Sequence, residues 1–71
     1  MNTNELKAVM KRNDDTQEKL AEALGLKISG VSDRIRGKTE FRRSEINLIR
    51  ERYNLSAEET IAIFFDDSVS A

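Results

Sequence analysis

Apolar residues fall along this chain at helical spacing. Leu6, Val9 and Met10 stand at i, i+3 and i+4 and predict one stripe of a first helix. Its start has capping-box spacing between Asn2 and Glu5, with Thr3 as an alternative N-cap. Asn13-Asp14-Asp15 breaks the pattern, and Thr16 is a good N-cap for a second helix with Glu18 in its first turn, where the dipole favours an anion. Leu20, Ala21 and Leu24 form that helix's inward face, and Gly25 ends it. A third helix runs from near Ile28 to about Arg36 before Gly37. Val31 and Ile35 point inward there, leaving Ile28, Ser29, Ser32, Asp33 and Arg36 outward. A loop over Lys38–Phe41 leads to a fourth helix from about Arg43 to Tyr53, carried inward by Ile46, Ile49 and Tyr53. Ser56 and Glu59 form a capping box for a fifth, in which Ile61, Phe64 and Phe65 supply the apolar face. Residues 66–71 are small and polar, a tail expected to fray.

The fold expected is all-α, a single domain over residues 1–71, with Leu20, Ala21, Leu24, Val31, Ile35, Phe41, Ile46, Ile49 and Tyr53 as core. Phe64 and Phe65 are adjacent on one helix, so both do not face inward: one completes the core, and the other either lies on a dimer face with Ile61 or Ile63 or is an ordinary exposed aromatic. Composition narrows the function. The chain has 71 residues, 38% hydrophobic and 35% charged, with no cysteine and no histidine. Disulfide frameworks, thiolate nucleophiles and the usual zinc ligands are therefore absent, along with the commonest neutral-pH general base. No apolar run reaches the ~18 residues that span a bilayer, and no basic-then-apolar signal segment opens the chain. No nucleophile–base spacing or phosphate loop is present, so an enzyme, a cofactor and a metal site are not expected. The expected location is the cytoplasm.

The net charge of −1 is unevenly spread. Residues 27–43 set Lys27, Arg34, Arg36, Lys38, Arg42 and Arg43 against only Asp33 and Glu40, while the chain beyond residue 56 carries Glu58, Glu59, Asp66 and Asp67 and no base. A polyanion responds to charge within a Debye length, ~8–10 Å, so the basic middle outweighs the acidic total.

Two helices crossing steeply at a short corner need a small residue at the approach, a glycine at the turn and a branched apolar plug beneath. Ala21, Gly25 and Val31 supply these in order, over a helix-turn-helix unit of about residues 16–37. The run Thr16-Gln-Glu-Lys-Leu-Ala-Glu-Ala-Leu-Gly25, with Ser29-Gly-Val-Ser32 and Arg36-Gly-Lys38, closely resembles the Cro/CI-type phage-repressor helix-turn-helix domains, the XRE group. The likeness continues through Phe41, Ser44-Glu45-Ile46 and Leu55-Ser56-x-x-Glu59 and so covers about residues 3–65.

The resemblance implies a compact five-helix lambda-repressor-like domain that binds double-stranded DNA as a homodimer, with no membrane partner and no small-molecule ligand. Helix three would lie in the major groove. Ile28, Ser29, Ser32 and Asp33 match the base-reading positions; Gln17, Lys27, Arg36, Lys38, Thr39, Arg42 and Arg43 match the phosphate-binding ones. Ile28 suits a thymine methyl or packs on Leu24 or Leu26, while the serines read base edges or, for Ser29 above all, cap the helix locally. Five to six phosphate contacts per monomer imply a log K against log[salt] slope of roughly −5. Two positions depart from the pattern. Asp33 puts a carboxylate among the reading positions, where it must pair with Arg36 or accept from a cytosine amino group; Arg42-Arg43 replaces the usual Thr or Asn cap of helix four. A different reading is a helical protein-interaction module, antirepressor- or antitoxin-like, built on the acidic last helix and its phenylalanines.

Overall fold

Capping chemistry sets the five helices formed by the described residues. The computed structural model describes residues 1–65, so the tail over 66–71 lies outside it. The helices are α1 (Thr3–Arg12), α2 (Gln17–Leu24), α3 (Ile28–Ile35), α4 (Arg43–Tyr53) and α5 (Ala57–Phe64). Side-chain oxygens open three of them: Asn2 accepts from the Glu5 N–H, Thr16 from Lys19 and Ser56 from Glu59. Asn2 is thus the first cap, and Thr3 does something else. Its hydroxyl donates to the Ile35 carbonyl at 2.8 Å and ties the start of α1 to the end of α3.

Four helices end the same way, in a left-handed residue whose amide and the next fold back on the last turn. Gly25 (φ +70°) and Leu26 donate to Glu22 and Ala21, and Gly37 (φ +82°) and Lys38 donate to Arg34 and Asp33. Asp14 (φ 51°) and Asn54 (φ 53°) play that part after α1 and α4, followed by Asp15 and Leu55. A single αL residue costs Asp or Asn little, because a short polar side chain is tolerated there.

Leu6, Leu20, Val31, Ile35, Ile49 and Ile63 are wholly or almost wholly buried, joined by Val9, Met10, Ala21, Tyr53 and Leu55. The core differs from the periodicity reading in two respects. Leu24, Phe41 and Ile46 are half-buried rather than interior. On α5 the residue that enters the core is Ile63, with Thr60 beside it, so Ile63 is no dimer-face residue; Ile61 and Phe65 are each 56% exposed. The reason is the helix start: Ser56 caps at Ala57, which turns 60 and 63 inward together and 61 and 65 out. Phe64 is half-buried and meets Phe41 edge to face, ring centroids 5.6 Å apart. The Cα radius of gyration is 11.3 Å.

A polar joint locks the α1–α2 corner to the end of α4. Asp15, its side chain 4% exposed, accepts from Arg52 Nε at 2.8 Å and Nη2 at 3.0 Å, from the Tyr53 hydroxyl and from the Thr16 N–H. The Arg52 hydrogen bonds, helped by those of Tyr53 and Thr16 and opposed by burial, hold the Asp15 carboxyl at about 2, while burial and then Asp15 push the Tyr53 phenol up. A carboxyl depressed on folding stabilises fully above its unfolded value, near 4, and ceases to as pH falls towards 2. Between those limits the chain should lose about 1–2 kcal/mol through this joint, a figure reduced for the part-exposed Arg52. Thermal midpoints at pH 2, 3, 4 and 6 measure it: the native chain should fall more steeply below pH 4 than Asp15→Asn, and parallel curves would refute the assignment.

Candidate nucleic-acid interface

The corner between α2 and α3 is built as the spacing predicts. Ala21 is 2% exposed and Val31 fully buried, with the left-handed Gly25 between them. Burying Val31 and Ile35 turns the opposite face of α3 to solvent: Ile28 is 51% exposed, Ser29 is exposed, and Ser32 and Asp33 are half-buried. The N-cap of α3 is Lys27, which makes no side-chain cap, so Ser29 is not the capping residue.

Lys27, Arg36, Lys38, Thr39, Arg42 and Arg43 are all exposed. Backbone bonds bring the middle of this set back to α3, since the Lys38 and Thr39 amides both donate to the Asp33 carbonyl, at 2.8 and 3.3 Å. Gln17 is half-buried in the first turn of α2, in a shallow depression shared with Lys7, Lys11 and Thr16.

Asp33 has its partner. Arg36 Nη2 donates to Asp33 Oδ1 at 2.8 Å across one turn of helix, a pair on the solvent side. The carboxylate that would repel a phosphate is thereby countered on its own helix, and one cation of the stripe is engaged before any ligand arrives.

Sequence reasoning missed Arg34 and the role of Glu45. Arg34 lies inward of the stripe and forms a two-pronged pair with Glu45, Nε to Oε1 at 2.9 Å and Nη2 to Oε2 at 3.3 Å, with side chains 11% and 8% exposed. Its Nη1 donates to the Gly30 carbonyl at 3.0 Å. Glu45 Oε1 also accepts the Arg42 N–H at 2.8 Å, so α4 keeps the carboxylate half of a capping box even though its N-cap is an arginine. Burial pushes the Glu45 carboxyl up, but the Arg42 amide and the Arg34 guanidinium outweigh it and bring it below its ordinary value. The visible signal was a glutamate three residues after a cap position that lacks a capping side chain.

No helix among the described residues is long and apolar enough to cross a membrane. Neither a curated protein nor a solved structure matches the chain. A helix-turn-helix family model matches residues 6–60, from the first core residue of α1 to Thr60 of α5. With that match over most of its length, and five helices without a strand among the described residues, the chain belongs to the helix-turn-helix family of XRE type, whose members are DNA-binding transcription regulators.

Proposed function

We propose that the chain is a sequence-specific, Cro-like repressor of phage type that acts on the nucleoid in the cytoplasm. In this reading α3 lies in the major groove, with Ile28 against a thymine methyl and Ser29, Ser32 and Asp33 at base edges. Lys27, Arg36, Lys38, Thr39, Arg42 and Arg43 hold the backbone on either side, and Gln17 takes a phosphate at the start of α2. The observation that carries the reading is the exposed face of α3 continuing into a run of exposed cations that is bonded back to the same helix.

Two chains occupy half-sites about one turn of DNA, ~34 Å, apart, and repression follows from occluding polymerase. A second copy has a suitable face. Ile61 and Phe65, each more than half exposed, line a groove together with Phe41, Ile46 and Arg50. Exposed apolar side chains on a grooved face favour a two-fold pairing of like with like.

Selection of bound duplexes from a random pool tests the whole reading, with an inverted repeat of matching spacing as the expected product. A pool that returns no enriched sequence would sink it, and a complete lack of retardation on random duplex at low salt would favour the protein-interaction module. Two variants separate the roles. Arg42→Ala should weaken binding to every duplex about equally, whereas Ser32→Ala should change affinity only at particular base pairs. Competition against single-base-pair variants of the selected site reads the difference, and identical profiles would remove α3 from the groove.

A further inference from the structure

Arg34 is a cation inside the basic segment that faces away from solvent, and its bonds run along a single line through the molecule. The Gly30 carbonyl accepts from Nη1, the other two guanidinium nitrogens grip both oxygens of Glu45, and Glu45 takes the Arg42 N–H. One end of that line is in α3 between Ser29 and Ser32; the other is the residue that opens α4. Gly30 suits the arrangement, because a Cβ there would meet Arg34 Nη1 at 3.4 Å, so the guanidinium lies back across the glycine at contact distance.

A planar fork on a carboxylate fixes twist as well as separation, since both nitrogens and both oxygens must share a plane. Apolar packing between the same elements would tolerate sliding. A buried ion pair of this kind is often replaceable by well-packed apolar groups of similar volume with no loss of stability. Its distinctive contribution is therefore geometric. Any protein that reads bases with one helix and grips phosphates with the start of the next needs the two held in fixed relation, because a misplaced phosphate contact pulls the reading face off its base pairs.

We propose that Arg34 and Glu45 are positioning residues that hold the base-reading face of α3 in register with the phosphate-binding start of α4. The inference rests on the DNA-binding reading above, and it assigns specificity to two residues that touch no DNA.

The full chain carrying Arg34→Met together with Glu45→Gln tests it. Methionine keeps the aliphatic stem, and the glutamine carbonyl keeps the acceptor for the Arg42 N–H, so helix content and thermal midpoint should stay near native. Affinity for random duplex should remain within about twofold of native, because free cations still find phosphates. Affinity for the duplex selected by the native chain should fall roughly tenfold or more, and the salt slope on that duplex should become shallower as contacts from Arg42 and Arg43 drop out. A pair of residues that only stabilised the fold would leave the selected-to-random ratio where it was. A folded double variant that keeps the native ratio overturns the proposal. Should the double variant not fold, Arg34→Lys serves: it keeps the charge opposite Glu45 but offers a point donor in place of a fork, and the ratio should fall in the same direction. A folded Arg34→Lys chain with native discrimination overturns the proposal equally. Failure of the native chain to prefer any duplex is seen before a variant is made and defeats the DNA-binding reading itself.

Discussion

Raising monovalent salt from about 50 to about 200 mM should weaken DNA binding by a few hundredfold per monomer, a log–log slope of about −4. Each phosphate neutralised releases condensed counterion and adds ~0.9 to the slope. Five cations stand around α3 and the start of α4, but Arg36 is already bonded to Asp33, so Lys27, Lys38, Arg42 and Arg43 provide the full contributions. This lowers the expectation from the residue count alone, which was roughly −5. The pairing gives the prediction a sharp form. Asp33→Asn should release Arg36, steepen the slope by close to ~0.9 and tighten binding to random duplex at low salt. Fluorescence anisotropy over a salt series reads both slopes; a flat native series would contradict phosphate-led binding, and an unchanged slope in Asp33→Asn would take Arg36 off the backbone.

Arg34→Ala should destabilise the chain by about 3 kcal/mol, the scale for stranding one member of a buried ion pair. Glu45, 8% exposed beneath Arg34 in the native chain, would keep only the Arg42 amide to stabilise its charge. A domain of this size shifts its thermal midpoint by about 4–8 °C per kcal/mol, so the loss is about 12–24 °C. The charge, not the missing stem, is the cause, and the double-mutant cycle shows which: Arg34→Ala in a Glu45→Gln background should cost much less than in the native one. Urea midpoints at constant slope give the numbers. A single variant within about 0.5 kcal/mol of native would place the pair among screened surface bridges.

The elements themselves were legible because their signals are local. Thr16, Gly25, Gly37 and the Ser56–Glu59 box each act within one turn, and they mark the start and end of α2, the end of α3 and the start of α5. The exposed face of α3 was legible for the same reason, since Val31 and Ile35 are four residues apart and the rest of the helix must turn away from them. What escaped was long-range or ambiguous in phase. Arg34 with Glu45 and Asp15 with Arg52 and Tyr53 join residues 11, 37 and 38 positions apart, and nothing in a helical period marks such partners. On α5, Ile61, Ile63, Phe64 and Phe65 supply apolar side chains in nearly every direction, so periodicity did not decide which one enters the core. Asp14 sits in the Asn13-Asp14-Asp15 run that breaks the first pattern, whereas Asn54, which stops α4 in the same left-handed way, reads in sequence only as a polar residue.

Tyr53 is the chain's only tyrosine, and there is no tryptophan. The hydroxyl bond to Asp15 therefore places the sole strong near-ultraviolet chromophore at the joint between the first corner and the end of α4. A phenol bonded to a carboxylate emits weakly, and one released to water recovers its fluorescence. The molecule thus contains its own optical reporter, which brightens when that joint opens.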